Sequence, residues 1–397
     1  MTLPPAMEPP PVAPPAAGRW RILLLLLALG VAGCASDGAT SAHSAAPGGP
    51  KPPPAVPAKD RVLVQYRQAA DAMRQGRFAD AKPLLDDALL TLGGLSAGDR
   101  SARQARSLFR EESRKNFRGE PYERVMAYYY RGILYWMDGE PDNARACFRS
   151  AQIQDADAEK NEYQADYVLL DYLDGLVSAK LAGDGSDAYR RAAAAARMAA
   201  PPAYDPPANI VLFAEMGTGP AKYASGEYRQ QLRFRPGQSR AVTAVLRVGP
   251  LVLRAPAFDD LSYQATTRGG RVMDHVLANK AVFKDTTSGI GDAAVIGGAI
   301  MATQTGRNSA MDEAGLGLLA AGLILKGISA ATTPTADTRT WDNLPNLLAF
   351  GSGRLAPGDY TGTLEFADAG GTVVKARPVR FTVAPGRDTV LFVSDRD

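Results

Sequence analysis

Two serine and lysine patterns in this chain have the residue types of catalytic or phosphate-binding loops. Gly94-Leu95-Ser96-Ala97-Gly98 has the glycine spacing of a nucleophile elbow, a sharp turn that exposes a serine for acyl transfer. A serine nucleophile needs a general base, and beyond residue 59 the one histidine is His275. The elbow also needs a strand before it, whereas helical periodicity precedes Ser96. We therefore interpret this pattern as an inter-helix loop.

The second pattern is Gly217-Thr218-Gly219-Pro220-Ala221-Lys222, which is glycine-rich and ends in lysine. It lacks the spacing, and the serine or threonine after lysine, with which a P-loop holds phosphate and Mg²⁺. It is therefore predicted to be a turn between strands. Asp259-Asp260 and Asp274-His275 offer metal-ligating atoms, but no helix-spaced histidine pair, cysteine set or calcium-loop pattern accompanies them. We predict no catalytic residue, no metal site and no cofactor.

The most specific chemistry is indicated at the N-terminus, where Arg19 and Arg21 precede an apolar run over residues 22–31. About ten residues is the length of a signal-peptide core and roughly half of what a membrane-spanning helix needs. The run ends in Val31-Ala32-Gly33-Cys34, which resembles the lipobox of bacterial lipoproteins. That resemblance implies that residues 1–33 are a cleaved signal peptide. It also implies that Cys34 carries a diacylglycerol on its thiol and an acyl chain such as palmitate on its amine.

Ala35 follows Cys34 at the position where such lipoproteins commonly carry an Asp that signals inner-membrane retention. We therefore expect a lipid anchor in the outer membrane, with the chain facing the periplasm. Display on the outer surface of the cell is the alternative. Three acyl chains would anchor the protein permanently. Residues 34–59 are rich in Ala, Ser, Gly and Pro, a composition typical of a solvated tether. The alternative is an ordinary signal peptide with a chance cysteine.

Charge and cysteine content exclude two further classes of protein. The formal net charge is +3 over 397 residues, which gives no indication of a nucleic-acid-binding surface. Cys147 is the other cysteine besides Cys34, so an intrachain disulfide framework is not expected even in an oxidising compartment. Because Cys147 lies at helical core spacing, we interpret it as a small buried hydrophobe.

A repeated helical pattern occupies residues 60–200. Small and aromatic residues in 69–90 recur at the same spacing in 128–151, and a weaker third unit covers 163–198, with Gly183 at its turn. The shared template resembles the tetratricopeptide repeat, a helix-turn-helix unit whose small residues let two helices approach. The resemblance implies stacked helical hairpins with a concave surface that binds proteins.

Three short strings also resemble an uncharacterised family of bacterial lipoproteins that combine tetratricopeptide-like helices with a β-rich C-terminal region. They are Phe117-Arg118-Gly119-Glu120-Pro121-Tyr122-Glu123-Arg124, Gly217 to Lys222, and Ala336-Asp337-Thr338-Arg339-Thr340-Trp341-Asp342-Asn343-Leu344-Pro345. The family brings no established activity with it. We interpret Arg118, Glu120, Glu123 and Arg124 as a helix-capping and salt-bridge cluster, and an interaction site is the alternative.

After a proline-rich break at 201–207, the pattern over residues 208–397 is that of strands. Runs rich in β-branched and aromatic residues alternate with Gly and Pro turns, which predicts a small β-sandwich. The predicted strands are Asn209–Ala214, Tyr228–Phe234, Val242–Val248, Leu251–Ala255, Leu261–Thr267, Thr361–Phe366, Thr372–Ala376, Val379–Val383 and Thr389–Ser394. Two apolar, glycine-rich stretches within 285–335 predict an inserted helical hairpin, buried or touching lipid.

The sequence therefore predicts an α+β protein in which tetratricopeptide-like helical repeats precede a small β-sandwich-like domain. The leading functional hypothesis is a protein-binding scaffold or assembly factor of the cell envelope, without enzymatic activity, whose partner is another envelope protein. Two alternatives stay open. One is a cell-wall ligand binder or envelope enzyme, and the other is a subunit of a multimeric envelope machine.

Overall fold

Three helical hairpins form the N-terminal part of the fold. The computed structural model describes residues 56–96, 116–156, 165–226, 229, 231–266 and 335–396. The first hairpin is α1 (Arg61–Arg74) and α2 (Phe78–Ser96), the second α3 (Pro121–Met137) and α4 (Pro141–Asp155), and the third α5 (Val168–Lys180) and α6 (Ser186–Ala195). A short helix, α7 (Leu261–Thr266), lies among the strands.

The three hairpins share the same turn geometry at the end of their first helix. In the first hairpin Arg77 N–H donates to the Ala72 carbonyl (2.8 Å), and in the second Glu140 N–H donates to the Tyr135 carbonyl (3.0 Å). These bonds define a Schellman cap, in which one residue adopts a left-handed conformation. Gly76 and Gly139 take that position with φ of +71° and +81°. The third hairpin closes in the same way, because Gly183 N–H donates to the Ser178 carbonyl (2.8 Å).

Gly183 lies in the turn of the third hairpin as predicted, but the left-handed residue there is Ala182, with φ of +59°. A Cβ in this conformation costs about 1 kcal/mol. We therefore expect Ala182→Gly to stabilise the protein by roughly 0.5–1 kcal/mol, and Gly139→Ala to destabilise it by a similar amount. Nothing lies within 4 Å of a Cβ built at Gly139, so backbone strain alone should decide the result. Urea unfolding measures the change in the free energy of unfolding for both variants. A change of the same sign in the two variants would contradict this prediction.

Seven strands form one sheet and two more form a separate ribbon. The seven run in the order β8-β7-β4-β5-β6-β1-β9, with the β1–β9 pair parallel and the other pairs antiparallel. Strands β2 and β3 pair with each other. The strands are β1 (Ile210–Met216), β2 (Ala221–Ser225), β3 (Gln231–Arg235), β4 (Thr243–Val248), β5 (Leu251–Asp260), β6 (Leu347–Gly353), β7 (Gly358–Ala367), β8 (Val373–Val383) and β9 (Thr389–Ser394).

The predicted β-sandwich is wrong, because a single curved sheet takes its place. Side chains on one face of all seven strands, including the edge strands β8 and β9, pack into one apolar core. A flat sheet cannot bring its two edges to the same core, so the sheet curls around its own side chains. The opposite face is covered by helices rather than by a second sheet. The α+β class is confirmed.

The local strand predictions also need correction. Leu261–Thr266 is a helix, not a strand, because Asp260 Oδ1 accepts the Ser262 N–H (2.8 Å) and thereby caps its first turn. The two strands predicted on either side of Arg377-Pro378 are one strand, β8. Its proline is tolerated because β8 lies at an edge of the sheet.

The first helix of each hairpin packs on the outer face of the sheet. Arg74 of α1 forms an ion pair with Glu215 of β1, and the Tyr66 ring stacks on Trp341 in the segment before β6 (4.3 Å between centroids). Trp136 of α3 meets Phe213 of β1 (5.9 Å), and Tyr172 of α5 meets Phe350 of β6 (5.7 Å). Helices and sheet therefore share one hydrophobic core, and the predicted helical (60–200) and β-rich (208–397) parts lie within one compact unit, Ala55–Asp397.

Several sequence predictions fall outside the described residues. These are the signal peptide, the lipidated Cys34, nearly all of the tether, His275, and the helical hairpin predicted at 285–335, of which the structure describes residue 335 alone. Among the helices that the structure does describe, none combines the length and the hydropathy required to cross a bilayer.

Candidate functional site

The three short strings singled out in the sequence meet at a single place between α3, the β2–β3 ribbon and the segment before β6. Glu123 of α3 forms an ion pair with Lys222 of β2, and its Oε1 accepts the backbone N–H of Trp341 (2.7 Å). Lys222 Nζ also donates to the carbonyl of Arg339 (2.9 Å). We call Glu123, Lys222, Arg339, Trp341 and Phe117 the junction cluster. Each of the three strings contributes at least one residue to it.

Arg339 extends the junction cluster to the start of the helical part. Its guanidinium binds Asp337 Oδ2 (2.6 Å) and Asp60 Oδ1 (2.7 Å), and its Cζ lies 5.5 Å from the centroid of the Phe117 ring. Phe117 N–H in turn donates to the carbonyl of Lys59 (2.7 Å). The cluster thus ties together the residues just before α1, the segment before α3 and the segment that precedes β6.

Local sequence explains why Glu123 points inward. Gly119 takes a left-handed φ of +75°, and Pro121 occupies the first turn of α3, where its missing N–H removes no helical bond. Glu123 Oε2 accepts the N–H of Glu120 (2.7 Å), which is the N-terminal capping contact expected of this spacing. The same carboxylate therefore caps the helix and pairs with Lys222.

The electrostatics of the junction cluster are those of a buried structural pair. Burial raises the pKa of Glu123, whereas Lys222 and the Trp341 N–H act in the opposite direction. The side chains of Glu123 and Lys222 are 0% and 2% exposed, so a substrate in solvent cannot reach either group. Neither a nucleophile nor an accessible general base results from this arrangement. This arrangement joins α3 to the β2–β3 ribbon and to the segment that precedes β6.

The remaining residues of the 117–124 string have separate positions. Tyr122 is buried against Phe234 of β3 (5.9 Å between ring centroids), and Arg118 is exposed. Arg124 Nε donates to Gln154 Oε1 of α4 (2.7 Å), and its Nη1 donates to the carbonyl of Gly119 (2.9 Å). The geometry thus places Glu120, Glu123 and Arg124 in capping and interhelical contacts.

A second buried polar contact joins α1, α3 and the sheet, and the sequence reading did not identify it. Glu215 of β1 forms an ion pair with Arg74, and its Oε2 accepts the hydroxyl of Tyr130 (2.7 Å). The detectable signal was one acidic residue in the otherwise apolar strand Ile210–Met216. A buried charge needs a partner, so this residue should have predicted a basic residue on a facing helix.

Asp259, considered above as a metal ligand, caps a helix instead. Its two carboxylate oxygens accept the N–H groups of Val168 (2.8 Å) and Leu169 (2.9 Å) at the start of α5. A β-bulge between Ala257 and Asp259 turns this side chain from the inner face of the sheet toward the helices. Burial raises the pKa of Asp259 to about 7, although the two N–H donors act against the shift.

The other chemical candidates have the following positions. The inter-helix loop predicted at Ser96 is wrong for residues 94–96, which continue α2 to its last residue, Ser96. Residues 217–220 connect β1 to β2, as predicted, with Gly217 in a left-handed conformation. Cys147 is half-buried, and burial raises the pKa of its thiol to about 11, which keeps it protonated. Within the described part of the chain, no group of three or more His, Cys, Asp or Glu side chains has the arrangement of a metal site.

No family model, curated protein or solved structure matches the chain.

Proposed function

We propose that this chain is a lipoprotein anchored to the outer membrane through Cys34, and that its folded part is a scaffold that docks another protein of the cell envelope. In this proposal residues 1–33 are removed, and residues 34–59 tether the folded unit to the lipid surface. The helical hairpins belong to the tetratricopeptide-like type, as their shared template and matching turns favour. The sheet holds them in place.

The observation that carries the docking proposal is a pair of exposed aliphatic side chains on the outer helices. Leu90 of α2 is 75% exposed and Ile153 of α4 is 70% exposed. The two residues occupy equivalent positions in the repeated template, since Ala81, Leu85 and Ala88 correspond to Ala144, Phe148 and Ala151 at the same offset. A single exposed Leu needs no explanation, but the same exposure at equivalent sites favours a surface that a partner covers.

The inner face of the hairpins is not available for this role. The first helix of each hairpin already packs on the sheet, through Arg74, Trp136 and Tyr172 respectively. The concave face on which repeat proteins of this type commonly bind partners is therefore occupied by the protein's own strands. This leaves the second helices, α2 and α4, to present a surface to a partner.

Photo-crosslinking in cells tests the docking proposal. A benzophenone amino acid is placed at Leu90 or at Ile153, with the equally aliphatic Val252 of β5, 49% exposed, as the control position. We expect positions 90 and 153 to capture the same envelope protein and position 252 not to. The double variant Leu90→Ser/Ile153→Ser should reduce co-purification of that protein at least tenfold. Capture of a second copy of this chain would favour the multimeric-machine alternative instead.

The anchoring part of the proposal has its own test. Cells are labelled with an alkyne-bearing palmitate, and the wild type is compared with Cys34→Ala. We expect labelling and outer-membrane fractionation of the wild type and neither in the variant. An unlabelled wild-type protein that is nevertheless cleaved before residue 34 would establish the ordinary signal peptide and contradict lipidation, whatever the crosslinks show.

A further inference from the structure

The curved sheet stops short of closing between β8 and β9. These consecutive strands are the two edges of the seven-stranded sheet, yet both contribute side chains to its interior core. Two contacts bridge the gap near its ends: Thr389 Oγ1 donates to the carbonyl of Thr382 (3.4 Å), and Lys375 Nζ donates to the carbonyl of Asp395 (2.9 Å). We call the opening between these two bridges the seam.

The helices hold one end of the seam in place. Asp388, in the turn that joins β8 to β9, accepts the indole N–H of Trp136 of α3 (2.8 Å) and the ammonium group of Lys180 of α5 (3.0 Å). Because both partners lie on helices packed against the sheet, the turn cannot move freely. The seam is therefore a built feature of the fold and not a frayed edge.

An apolar cavity opens at the seam and reaches the core of the sheet. Its volume is about 310 Å³, which lies at the small end of the roughly 300–1,000 Å³ of small-molecule sites. Its deepest walls are the buried side chains of Leu212, Leu246 and Leu364, and Phe78 of α2 lines it from the helical side. Such a lining excludes water and favours a hydrocarbon group.

Arg377 places a positive charge beside these apolar walls. It pairs in register with Leu364 of β7, which in turn pairs with Leu246 of β4, and directly paired residues point to the same face of a sheet. Arg377 therefore faces the inside of the curved sheet, where it is half-buried. Within the described part of the chain, neither Arg377 nor the exposed Arg380 at the rim of the seam has an ion-pair partner.

From this geometry we propose that the seam binds a fatty acid, with its hydrocarbon chain in the cavity and its carboxylate on Arg377. Arg380 adds positive charge where the carboxylate enters. A guanidinium pairs well with a carboxylate, and its bond strengthens beside apolar walls that exclude water. This site depends neither on the lipidation of Cys34 nor on the docking surface at Leu90 and Ile153.

A strand of a partner protein is a poorer fit to the seam. A strand that joined β8 and β9 would have to displace both bridging contacts. The edge strand β8 contains Pro378, which has no N–H to donate. It also contains the charged residues Arg377 and Arg380. Proline and charged side chains at an edge are features that prevent strand addition. A fatty acid that enters from the side, in contrast, needs only the opening between the two bridging contacts.

The experiment uses the full chain in phosphatidylcholine nanodiscs and a dodecanoate that carries a diazirine. After photolysis, mass spectrometry maps the labelled peptides, and titration gives the Kd. Three variants are compared: Arg377→Gln, the matched control Arg254→Gln on the exposed face of β5, and Leu391→Trp, which fills the seam. Methyl dodecanoate, with the same chain but no charge, is titrated in parallel, and circular dichroism checks that each variant is folded.

We expect saturable labelling of peptides from β8 and β9. Arg377→Gln should raise the Kd of dodecanoate about tenfold and leave that of the methyl ester unchanged, whereas Arg254→Gln changes neither. Leu391→Trp should abolish labelling. The proposal is overturned if labelling is unsaturable or lies elsewhere. It is equally overturned if Arg377→Gln leaves dodecanoate binding intact, because Arg377 would then serve only to prevent strand pairing at the edge of the sheet.

Discussion

Replacing Lys222 by Met should destabilise the protein by about 3–5 kcal/mol at neutral pH. The substitution leaves Glu123 fully buried without its cation, and an uncompensated buried charge is among the most costly single changes. Met has a similar volume, so little of the loss should come from packing. Urea unfolding followed by tryptophan fluorescence measures the free energy of unfolding.

Lys82→Met is the matched control for this prediction. Lys82 also forms an ion pair, with Asp138 (2.6 Å), but both side chains are about one third exposed, so its loss should cost at most about 1 kcal/mol. The double variant Glu123→Gln/Lys222→Met should be more stable than Lys222→Met alone because it removes the orphaned charge. Equal costs for Lys222→Met and Lys82→Met would show that the junction cluster does not hold the fold together.

The cost of Lys222→Met should also depend on pH. Burial raises the pKa of Glu123, so without Lys222 the carboxyl group accepts a proton more readily than an exposed glutamate does. A neutral Glu123 needs no cation. The difference between wild type and variant should therefore shrink as the pH is lowered, and a difference that stays constant from pH 7 to pH 4 would contradict the electrostatic origin of the loss.

The second large effect is expected at Asp259, as a change in how stability depends on pH. The folded-state pKa is about 7, whereas an unfolded aspartate titrates near 3.9. Between these values the folded state retains a proton that the unfolded state has released. Raising the pH through this window therefore destabilises the wild type, by up to roughly 4 kcal/mol from this one group.

Asp259→Asn removes that contribution while keeping one oxygen that can accept an N–H of α5. The stability of the variant relative to the wild type should therefore rise between pH 4 and pH 7. Asp205→Asn is the control, because the hydrogen bond from Arg354 lowers the pKa of Asp205 and its contribution changes only below about pH 4. Its stability curve should therefore stay parallel to that of the wild type from pH 4 to pH 7. Urea unfolding at pH 4, 5, 6 and 7 gives both curves. Parallel curves for wild type and Asp259→Asn would contradict the raised pKa.

The helical hairpins could be predicted because their signals are local. The repeated spacing of small and aromatic residues predicted the hairpins of Arg61–Ser96 and Pro121–Asp155, and the turn glycines Gly76 and Gly139 take the left-handed conformation that such turns require. At the third hairpin Gly183 lies in the turn as predicted, although the residue before it, Ala182, takes the left-handed conformation. Sequence marks a turn to within a residue, and tertiary packing selects the register.

The sheet could not be predicted in the same way. Strand propensity located most strands, but Leu261–Thr266 has β-branched and aromatic character too, and a cap from Asp260 made it a helix. Strand order is a non-local property: β1 pairs with β6 and β9, which follow it by more than a hundred residues. Nothing in a single strand distinguishes a sandwich from one curved sheet, because both alternate buried and exposed residues.

The sequence by itself determined the α+β fold class, the hairpin turns, and the three strings (117–124, 217–222 and 336–345) that form the junction cluster. These features depend on residue type and on short spacing along the chain. It also predicted the signal peptide and the lipidation of Cys34, and these stay predictions that the palmitate labelling tests. Only the tertiary structure decided that Glu123, Lys222 and Trp341 form one buried cluster, that Asp259 caps a helix, and that β8 and β9 leave a seam. The physical reason is that burial and pairing join residues that are distant in the chain, and it is this environment that sets the role of a charged side chain.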